Sequence, residues 1–382
     1  MINCFECLIL DGYMLKVLIN GLQLSNSNSG VQYYTQQLYK ELEKNESDEI
    51  KLVLLQFSNG QSGINNRIKR IIIENFYFLY LLRKSNFNLY HSPNYVLPFF
   101  INSPSVLTIH DLITLDYPEL CQNESVLYFK HLLPLSIAKA TKIIAVSNTV
   151  KNDILKHFNI PPSKIEVIFH GINPIFKFTI NKSVYSKYQL PEKYILFVGN
   201  IEPKKNIERL ILAFELLKKN KEINHKLVIV GKKGWKYRHI FNTISNLAFE
   251  NEIILTGYVS EDDLPAIYSQ ADLFAFPSLY EGFGIPPLEA MACETPVLVS
   301  NKGALPEITG NTCLQVDPYN IQAISKGMYL LLTNNDLREK QVSKGKEWIK
   351  RFSWEKAAIE TIEVYKQALN YYETSITENI KK

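Results

Sequence analysis

FPSLYEGFGIPPLEAMACETPVLVS, residues 276–300, carries the clearest fold signal in the chain. It places two carboxylates, Glu281 and Glu289, eight residues apart around a Gly-Phe-Gly turn that leads into a proline-started helix. The almost wholly apolar run before it, residues 271–276, predicts a parallel strand buried on both faces, and residues 297–300 predict the next strand. Open α/β sheets bind ligands at the carboxyl ends of their strands. The stretch therefore predicts an α/β sheet with a ligand site at this turn.

The glycines of the turn, Gly282 and Gly284, lack a Cβ atom, so the backbone can approach a ligand closely and present N–H groups to it. A polyol with a diphosphate suits such a pocket. Two carboxylates at this spacing also have a plainer interpretation, in which Glu281 is a solvated loop carboxylate and Glu289 a favourable charge at a helix start. The string of residues around them decides between the two.

The composition predicts a folded protein of two domains, since 382 residues with 46% hydrophobic and 21% charged residues can bury two ordinary cores. The net charge of +4 permits an acidic substrate or an anionic membrane surface, but we do not expect nucleic-acid binding. Five scattered cysteines fit a reducing cytosol, and we interpret the lone C-x-x-C of Cys4 and Cys7 as chance rather than a zinc site. No apolar run approaches the roughly 18 residues of a membrane span.

Two segments of the first half have alternative interpretations. Residues 1–13 are interpreted as an extension outside the fold, because Met14 precedes the first clear strand, residues 16–20, and whether Met1 or Met14 is the true start stays open. Residues 65–84 combine basic with aromatic and aliphatic side chains. They either lie on an anionic membrane or, as we prefer, form a helix packed on its own sheet.

Two further positions of the first half suit a ligand site. The small-residue loop SNSNSG, residues 25–30, precedes a helix, where it is either a plain connector or an anion site. The strand at residues 106–109 ends in His110 and Asp111, and a histidine at the carboxyl end of a strand is better placed for chemistry than a core histidine. Residues 112–121, LITLDYPELC, are predicted to form a loop.

In the second half, a polar stretch at residues 179–192 predicts a linker, and a strand at residues 194–198 is followed by G-N-I-E-P-K-K-N and an amphipathic helix. Asn206 is predicted to cap that helix, so Lys204 and Lys205 lie at its positive end. Lysines near a helix start are usually only solvated. Two cations beside a row of free N–H groups would nevertheless suit a diphosphate.

The string E-G-F-G-x-P-x-L-E-A-M-A-C-x-T-P-V, residues 281–297, resembles the signature of the large retaining glycosyltransferase family that contains bacterial mannosyl- and glucosyltransferases, sucrose synthase and bacterial glycogen synthase. G-x-x-E-P-x-K-N around Lys205 resembles the family's phosphate-binding motif. VLTIHDL, YHSPNYVLP and IIAVSNTVKN are similar to its bacterial mannosyltransferase branch. The resemblance covers most of the chain and is densest in residues 194–308.

The resemblance implies the GT-B architecture, an α/β fold of two doubly wound, Rossmann-like domains facing a cleft. We place an acceptor-side domain at residues 1–175 and a nucleotide-sugar-binding domain at residues 190–354. A C-terminal helix of about residues 355–382 would pack back on the first domain. The alternation of strands and helices in both halves agrees with this expectation.

The resemblance also implies roles for single residues. Catalysis is assigned to Glu281 beside the transferred sugar, Lys205 on the diphosphate and His110 on the acceptor side. Glu289 would contact the ribose hydroxyls. The backbone of Gly30, Phe283, Gly284 and Ile285 is expected near the sugar and the phosphates, and Tyr258 and Val259 are expected at the base. Asn200 stands where many members have an arginine, with Lys204 as a replacement charge. Asp111 is expected near the acceptor, His91 is either beside it or structural, and Glu307 is expected to be a structural residue.

The implied function is transfer of a hexose from a nucleotide-diphosphate sugar to a hydroxyl of a growing surface glycan, with retention of configuration. Mannose from GDP-mannose is the first choice of donor. We expect no metal and no other cofactor, a glycan or lipid-linked glycan as acceptor, and a cytoplasmic location with weak contact to the inner face of the membrane. A nucleotide-sugar epimerase and a catalytically silent sugar-nucleotide-binding protein are the alternatives. A dehydrogenase is disfavoured because G-x-G-x-x-G is absent after the first strand. Base, sugar, linkage, acceptor and oligomeric state stay open.

Overall fold

The computed structural model describes residues 14–25, 29–55, 76, 80, 87–245 and 248–380. The proposed extension at residues 1–13 lies outside the described residues, as does the basic segment at residues 65–84 apart from residues 76 and 80.

The described residues contain both strands and helices along the length of the chain. The strands in chain order are β1 Leu15–Asn20, β2 Ile50–Leu55, β3 Leu89–Ser92, β4 Ser105–Ile109, β5 Lys142–Ala145, β6 Ile165–Val167, β7 Tyr194–Val198, β8 Lys226–Val230, β9 Ile253–Gly257, β10 Leu273–Phe276, β11 Val297–Ser300 and β12 Leu314–Val316. The helices are α1 Gly30–Glu43, α2 Ile113–Asp116, α3 Asn123–Lys139, α4 Asn148–His157, α5 Lys182–Tyr188, α6 Ile207–Asn220, α7 Arg238–Ser245, α8 Leu264–Ser269, α9 Ile285–Ala292, α10 Leu305–Thr309, α11 Ile321–Thr333, α12 Asn335–Trp348 and α13 Trp354–Ile380.

The chain divides into two compact units. Unit 1 contains the described parts of residues 1–112, residues 127–171 and α13, and unit 2 contains residues 113–126 and 172–353. The sequence predicts domains at residues 1–175 and 190–354, with a C-terminal helix of about residues 355–382 packed on the first, and unit 1 does include α13. The structure instead groups residues 113–126 with the second unit.

Unit 1 is built on a parallel sheet in the order β2-β1-β3-β4-β5-β6. Helix α1 begins after Ser29, whose hydroxyl accepts a hydrogen bond from the N–H of Gln32 and so satisfies an exposed donor of the first turn. Tyr34, Leu38 and Leu42 recur at helical spacing and are buried, together with side chains of β1 and α13, in one core. Helices α1 and α13 therefore cover the same part of the sheet.

Unit 2 is built on a second parallel sheet in the order β12-β11-β10-β7-β8-β9. Strand β10 reads LFAF and is wholly buried, as expected of a central strand with both faces covered. The strand order reverses between β7 and β10, and this kind of switch point is where doubly wound sheets bind ligands. The sequence-based expectation of a doubly wound α/β architecture is confirmed.

Two predicted loops contain helices. The predicted linker at residues 179–192 holds α5, which Asn181 caps and which ends at Gln189 in the left-handed conformation. The predicted loop at residues 112–121 holds α2 and the 3-10 turn Pro118–Leu120. This second segment packs within unit 2, where the Trp235 indole N–H donates to the carbonyl of Leu120 at 3.1 Å. These helices differ from the predicted loops because short helices carry little periodic signal in the sequence.

Candidate functional site

The switch point of unit 2 holds an ion pair. Lys205 Nζ lies 2.7 Å from Glu281 Oε1, and both side chains are largely buried. Lys205 follows β7 and Glu281 follows β10, so the adjacency of these two strands brings the side chains together across 76 positions of sequence. The Ser278 hydroxyl also donates to Glu281 Oε1 at 2.7 Å. The Lys205 ammonium lies 5.0 Å from the centroid of the Phe276 ring.

The partners of Glu281 decide its charge. Burial favours the neutral acid, but the nearby charges of Lys205 and Lys204 and the hydrogen bonds from Lys205 and Ser278 outweigh it. The pKa of Glu281 is therefore lowered. The carboxylate stays ionised at neutral pH, with one oxygen held by two donors.

The backbone around Glu281 is fixed by a neighbouring loop. The N–H of Ala304 donates to the carbonyl of Glu281 at 2.9 Å, and the N–H of Leu279 donates to the carbonyl of Lys204 at 2.8 Å. Gly303 has φ +59°, and a Cβ there would lie 2.8 Å from the Glu281 carbonyl oxygen. Only glycine fits this position without displacing Glu281.

Lys204 and Lys205 belong to the 3-10 turn Pro203–Lys205, directly before α6. Asn206 occupies the N-cap position of α6, as predicted, but its side chain makes no capping hydrogen bond. Asn206 adopts the left-handed conformation at φ 58°, and its amide donates to the carbonyls of Pro277 at 2.9 Å and Pro318 at 2.7 Å. Asn206 therefore ties the lysine turn to the loop after β10, which stabilises the geometry of the ion pair.

Glu289 has different surroundings, on α9. Its Oε2 accepts a hydrogen bond from the Tyr268 hydroxyl at 2.9 Å. The pKa of Glu289 is raised to about 8, mainly because the side chain is buried. The hydrogen bond from Tyr268 lowers this pKa, and the negative charge of Glu261 raises it. The two glutamates of the signature thus have opposite protonation tendencies.

The turn between the glutamates has the conformation that its glycines permit. Gly284 has φ +93° and precedes Ile285, the first residue of α9. Phe283 is buried, and its ring lies edge-on to Phe352 at 5.9 Å. Because Ile285 is the first residue of α9, its amide N–H belongs to the first helical turn, where backbone N–H groups have no partner within the helix.

The expected base-binding residues follow β9. Val259 is buried, whereas the Tyr258 side chain is 57% exposed. The ammonium of Lys232, which follows the neighbouring strand β8, lies 4.4 Å from the centroid of the Tyr258 ring. Lys232 has no signal in the sequence beyond the G-K-K-G-W string after β8. Asn200 is exposed after β7.

In unit 1, His110 follows β4 and is only 9% exposed. Its Nε2 donates to the carbonyl of Pro93 at 2.9 Å, which leaves Nδ1 as the accepting nitrogen. Burial lowers the pKa of His110 to about 4, although the hydrogen bond to the Pro93 carbonyl and the negative charge of Asp111 both act to raise it. His110 is therefore a neutral imidazole at pH 7, and Asp111 follows it directly at a half-buried position.

His91, considered either near the acceptor or structural, lies in the core. Its Nδ1 pairs with the Tyr365 hydroxyl at 2.7 Å and its Nε2 with the Thr108 hydroxyl at 2.9 Å, so both ring nitrogens are used. Burial lowers the pKa of His91 to about 3. Gly30 is exposed as the first residue of α1, and a Cβ there would meet no protein atom within 4 Å.

Sequence reasoning also missed His170, which lies on the loop after β6. Its ring centroid is 5.7 Å from that of His110 and 4.9 Å from that of Tyr34. The FHGIN string gave no periodic or motif signal for this residue. Among the described residues, no cluster of three or more His, Cys, Asp or Glu side chains has a geometry suited to a metal ion. Within that same part of the chain, no helix is both long and apolar enough to cross a membrane.

Family models and relatives match both halves of the chain. The model for Glycosyl transferases group 1 matches residues 183–348, and that for Glycosyltransferase Family 4 matches residues 29–175. O-antigen chain mannosyltransferase B of Escherichia coli is 35% identical over 285 residues, 73% of this chain and 74% of that protein. O-antigen chain mannosyltransferase RfbU of Salmonella typhimurium is 32% identical over 241 residues, 62% of this chain and 63% of that protein.

Solved structures match almost the whole chain. Sucrose-phosphate synthase from Thermosynechococcus elongatus superposes with a TM-score of 0.74 at 20% identity, over 92% of this chain and 98% of that one. Anabaena HepE in complex with UDP and glucose superposes with a TM-score of 0.72 at 16% identity, over 92% and 100%. These likenesses establish the fold, which is the GT-B fold.

Proposed function

Because the chain belongs to the glycosyltransferases of group 1, we propose that it transfers mannose from GDP-mannose to a hydroxyl of a growing surface glycan, with retention of configuration. Two relatives are named O-antigen chain mannosyltransferases, which supports mannose and a surface glycan. The E-x7-E signature supports retention. The single observation that carries the proposal is the Lys205–Glu281 ion pair at the switch point of unit 2.

The ion pair suits a reaction that separates charge. Departure of the nucleotide diphosphate places negative charge on its phosphates and positive charge at the sugar ring. A lysine ammonium has three donors, so Lys205 can bind a phosphate oxygen while it keeps its bond to Glu281. The ionised Glu281 stabilises the developing positive charge from a fixed position.

The donor pocket is proposed to extend from this pair. Lys204 and the amides of Gly284 and Ile285 supply further positive potential at the diphosphate. Glu289 would accept from the ribose hydroxyls, and Tyr258 and Val259 would flank the base, with Asn200 and Phe283 completing the lining. No metal ion is assigned a step, since the cationic turn can neutralise the leaving group. We expect transfer to persist in EDTA, and activity that requires added magnesium would contradict this.

The acceptor side is assigned to His110 and Asp111. A neutral imidazole whose Nε2 donates to Pro93 can accept a hydrogen bond from an acceptor hydroxyl at Nδ1. The departing phosphate takes the acceptor's proton in a reaction on one face of the sugar. His110 therefore orients the hydroxyl rather than serving as an obligatory base.

The decisive experiment replaces Glu281 by Gln. This variant keeps the shape and the hydrogen-bonding capacity of the side chain but loses its charge, so affinity for the nucleoside diphosphate should hardly change. Single-turnover transfer from GDP-mannose should fall about a hundredfold or more. Glu339→Gln, an exposed carboxylate on α12, is the matched control. An unaltered transfer rate in Glu281→Gln would make Glu281 an ordinary loop carboxylate.

Two measurements separate the alternative functions and identify the donor. A transferase releases free nucleotide only when an acceptor is present, whereas an epimerase converts the donor without an acceptor. Slow hydrolysis of the donor by the purified protein would argue against a catalytically silent binding protein. A thermal-shift screen of nucleotide sugars identifies the base and sugar. A ligand at about 100 times its dissociation constant should stabilise the protein by about 2.7 kcal/mol.

A lipid-linked acceptor implies contact with the inner face of the cytoplasmic membrane, and α3 offers a suitable surface. Leu127 is 62% and Leu135 is 51% exposed, and Lys130 and Lys139 are exposed on the same helix. Phe100 is 66% exposed, and the backbone carbonyl of its neighbour Phe99 accepts a hydrogen bond from the Lys139 ammonium. Apolar side chains flanked by lysines suit an anionic bilayer.

We expect the protein to co-sediment with phosphatidylglycerol vesicles and much less with phosphatidylcholine vesicles. The double variant Leu127→Ser and Leu135→Ser should lose this binding, whereas Leu330→Ser, an exposed leucine of unit 2, should keep it. Equal sedimentation of all three proteins would refute the α3 surface.

A further inference from the structure

His110 is enclosed by aromatic rings from three different elements of unit 1. The Tyr34 ring of α1 lies edge-on at 4.7 Å between centroids, and the Tyr95 ring lies edge-on at 5.7 Å. The His170 ring lies at 5.7 Å with an interplanar angle of 61°. All four side chains are buried. Since three rings pack against the imidazole, its orientation depends on where those rings stand.

The His170 ring is held in turn by the C-terminal helix. Trp354, the first residue of α13, stacks on His170 at 5.6 Å with an interplanar angle of 20°. The same indole lies 5.9 Å from the Tyr34 ring. Trp354 therefore contacts two of the three rings that pack against His110.

A second connection runs through hydrogen bonds. The Tyr365 hydroxyl, further along α13, pairs with His91 Nδ1 at 2.7 Å, and His91 Nε2 pairs with the Thr108 hydroxyl at 2.9 Å. The Thr108 hydroxyl lies 3.4 Å from the Tyr34 hydroxyl. The chain Tyr365–His91–Thr108–Tyr34 is buried throughout and ends on a ring that touches His110. Helix α13 thus reaches the surroundings of His110 both through stacked rings and through a chain of hydrogen bonds.

We infer that α13 sets the orientation of His110, and that Trp354 and His170 are positioning residues for the acceptor hydroxyl. The inference rests on the proposed acceptor role of His110. Residues 354–382 then serve the acceptor side of unit 1, although they follow unit 2 in sequence. Loss of the Trp354 indole would let His170 and Tyr34 shift, and the imidazole with them.

The test is a double-mutant cycle on transfer kinetics in the full-length protein. We expect Trp354→Leu to lower kcat/KM for the acceptor by about tenfold to a hundredfold, as a small displacement of a positioning group does. Affinity for the nucleoside diphosphate, measured by calorimetry, should stay within about twofold because the ion pair of unit 2 is untouched. Trp354→Phe should restore most of the activity, since it keeps a ring against His170. Ile359→Ala, an exposed position on the same helix, is the control and should behave as the parent.

The cycle uses His110→Ala as the second substitution. If Trp354 acts through His110, Trp354→Leu should have almost no further effect on transfer in the His110→Ala background. An equal loss in both backgrounds would mean a general structural role and would overturn the inference, as would full activity of Trp354→Leu. His170→Ala is tested in the same cycle, so the inference stays falsifiable if Trp354→Leu does not fold. Unimpaired transfer by His110→Ala itself would instead refute the acceptor role in the proposed function.

Discussion

At the scale of single residues, two buried glutamates of one motif differ in protonation. Glu281 has a lysine and a serine as donors and a second lysine nearby, and its pKa is lowered. Glu289 has one neutral donor, Tyr268, and its pKa is raised to about 8. At pH 7 the first is ionised and the second is largely protonated. Burial alone would raise both values, so the charge partners decide the difference.

The protonation of Glu289 predicts a pH dependence of donor binding. If the ribose hydroxyls require the carboxylate, affinity for the nucleoside diphosphate should rise roughly tenfold between pH 7 and 9, as the ionised fraction rises through a pKa of about 8. The terminal phosphate is already ionised in this range, since its pKa is about 6. Calorimetry at pH 7, 8 and 9 measures the effect.

Two variants test this interpretation. Glu289→Gln should bind with a flat pH profile, because it has no proton to lose. Tyr268→Phe should move the rise in affinity to higher pH, because it removes the hydrogen bond that lowers the pKa of Glu289. A rise that persists unchanged in Glu289→Gln would assign the titration to another group.

Lys205 is expected to act on binding and on chemistry. Lys205→Ala should weaken nucleoside diphosphate binding and also raise the barrier of the chemical step by roughly 2 to 4 kcal/mol, as for other preorganised charge-stabilising groups. Calorimetry and single-turnover kinetics separate the two effects. Lys219→Ala, an exposed lysine of α6, is the control. A loss of binding without any loss of single-turnover rate would restrict Lys205 to ground-state binding.

At the scale of secondary-structure elements, the loop after β10 depends on the loop after β11. The N–H of Ala304 holds the Glu281 carbonyl, and Gly303 adopts φ +59° to make room for it. The lysine turn before α6 is attached to the same loop through Asn206. Three connections thus meet at one point, and the position of the Glu281 carboxylate follows from all of them.

Gly303→Ala is therefore expected to disturb catalysis without removing any functional group. The new Cβ would lie 2.8 Å and 2.9 Å from the backbone O and N of Glu281 and would require a left-handed conformation. We expect a loss of about 1–2 kcal/mol in the free energy of unfolding and a larger fall in turnover than in nucleotide affinity. Gly345→Ala, where a Cβ would make an ordinary 3.5 Å contact with Met291, should be neutral or stabilising. A fully active Gly303→Ala enzyme would show that this loop does not control Glu281.

At the scale of the whole molecule, unit 1 carries three buried histidines with lowered pKa values. Burial is the main cause for His91, His110 and His170 alike, and the first two have values of about 3 and about 4. In the unfolded chain these imidazoles take up protons near pH 6.5, whereas the folded unit excludes them until much lower pH. The free energy of unfolding should therefore fall as pH decreases from about 6.5 towards the lowered pKa values of the folded state.

The loss should reach several kcal/mol, on the order of 1.4 kcal/mol for each pH unit by which the pKa of a histidine is lowered. Urea unfolding at pH 7, 5.5 and 4.5 measures it, and fluorescence of Trp354 in a Trp235→Phe, Trp348→Phe background reports on unit 1. His91→Gln should reduce the dependence on pH, because it removes one of the titrating rings. A free energy of unfolding that is unchanged from pH 7 to 4.5 would contradict this prediction.

The class of fold and the candidate ligand edge of unit 2 could be predicted from the order of amino acids alone. Apolar runs such as β7 and β10 identify buried parallel strands, because burial on both faces demands apolar side chains at every position. Glycine turns and charges next to those strands identify the ligand edge, because carboxyl ends of parallel strands share one edge. These are local signals, readable within about ten residues.

Tertiary structure alone decided which side chains meet. The pairing of Lys205 with Glu281 depends on β7 lying beside β10, and the stacking of His170 on Trp354 depends on α13 returning to unit 1. It also made His91 a core residue and directed the side-chain amide of Asn206, the N-cap residue of α6, to the loop after β10. Contacts across tens to hundreds of positions leave no local pattern in the sequence, because strand order and chain return are set by the packing of the whole core rather than by neighbouring residues.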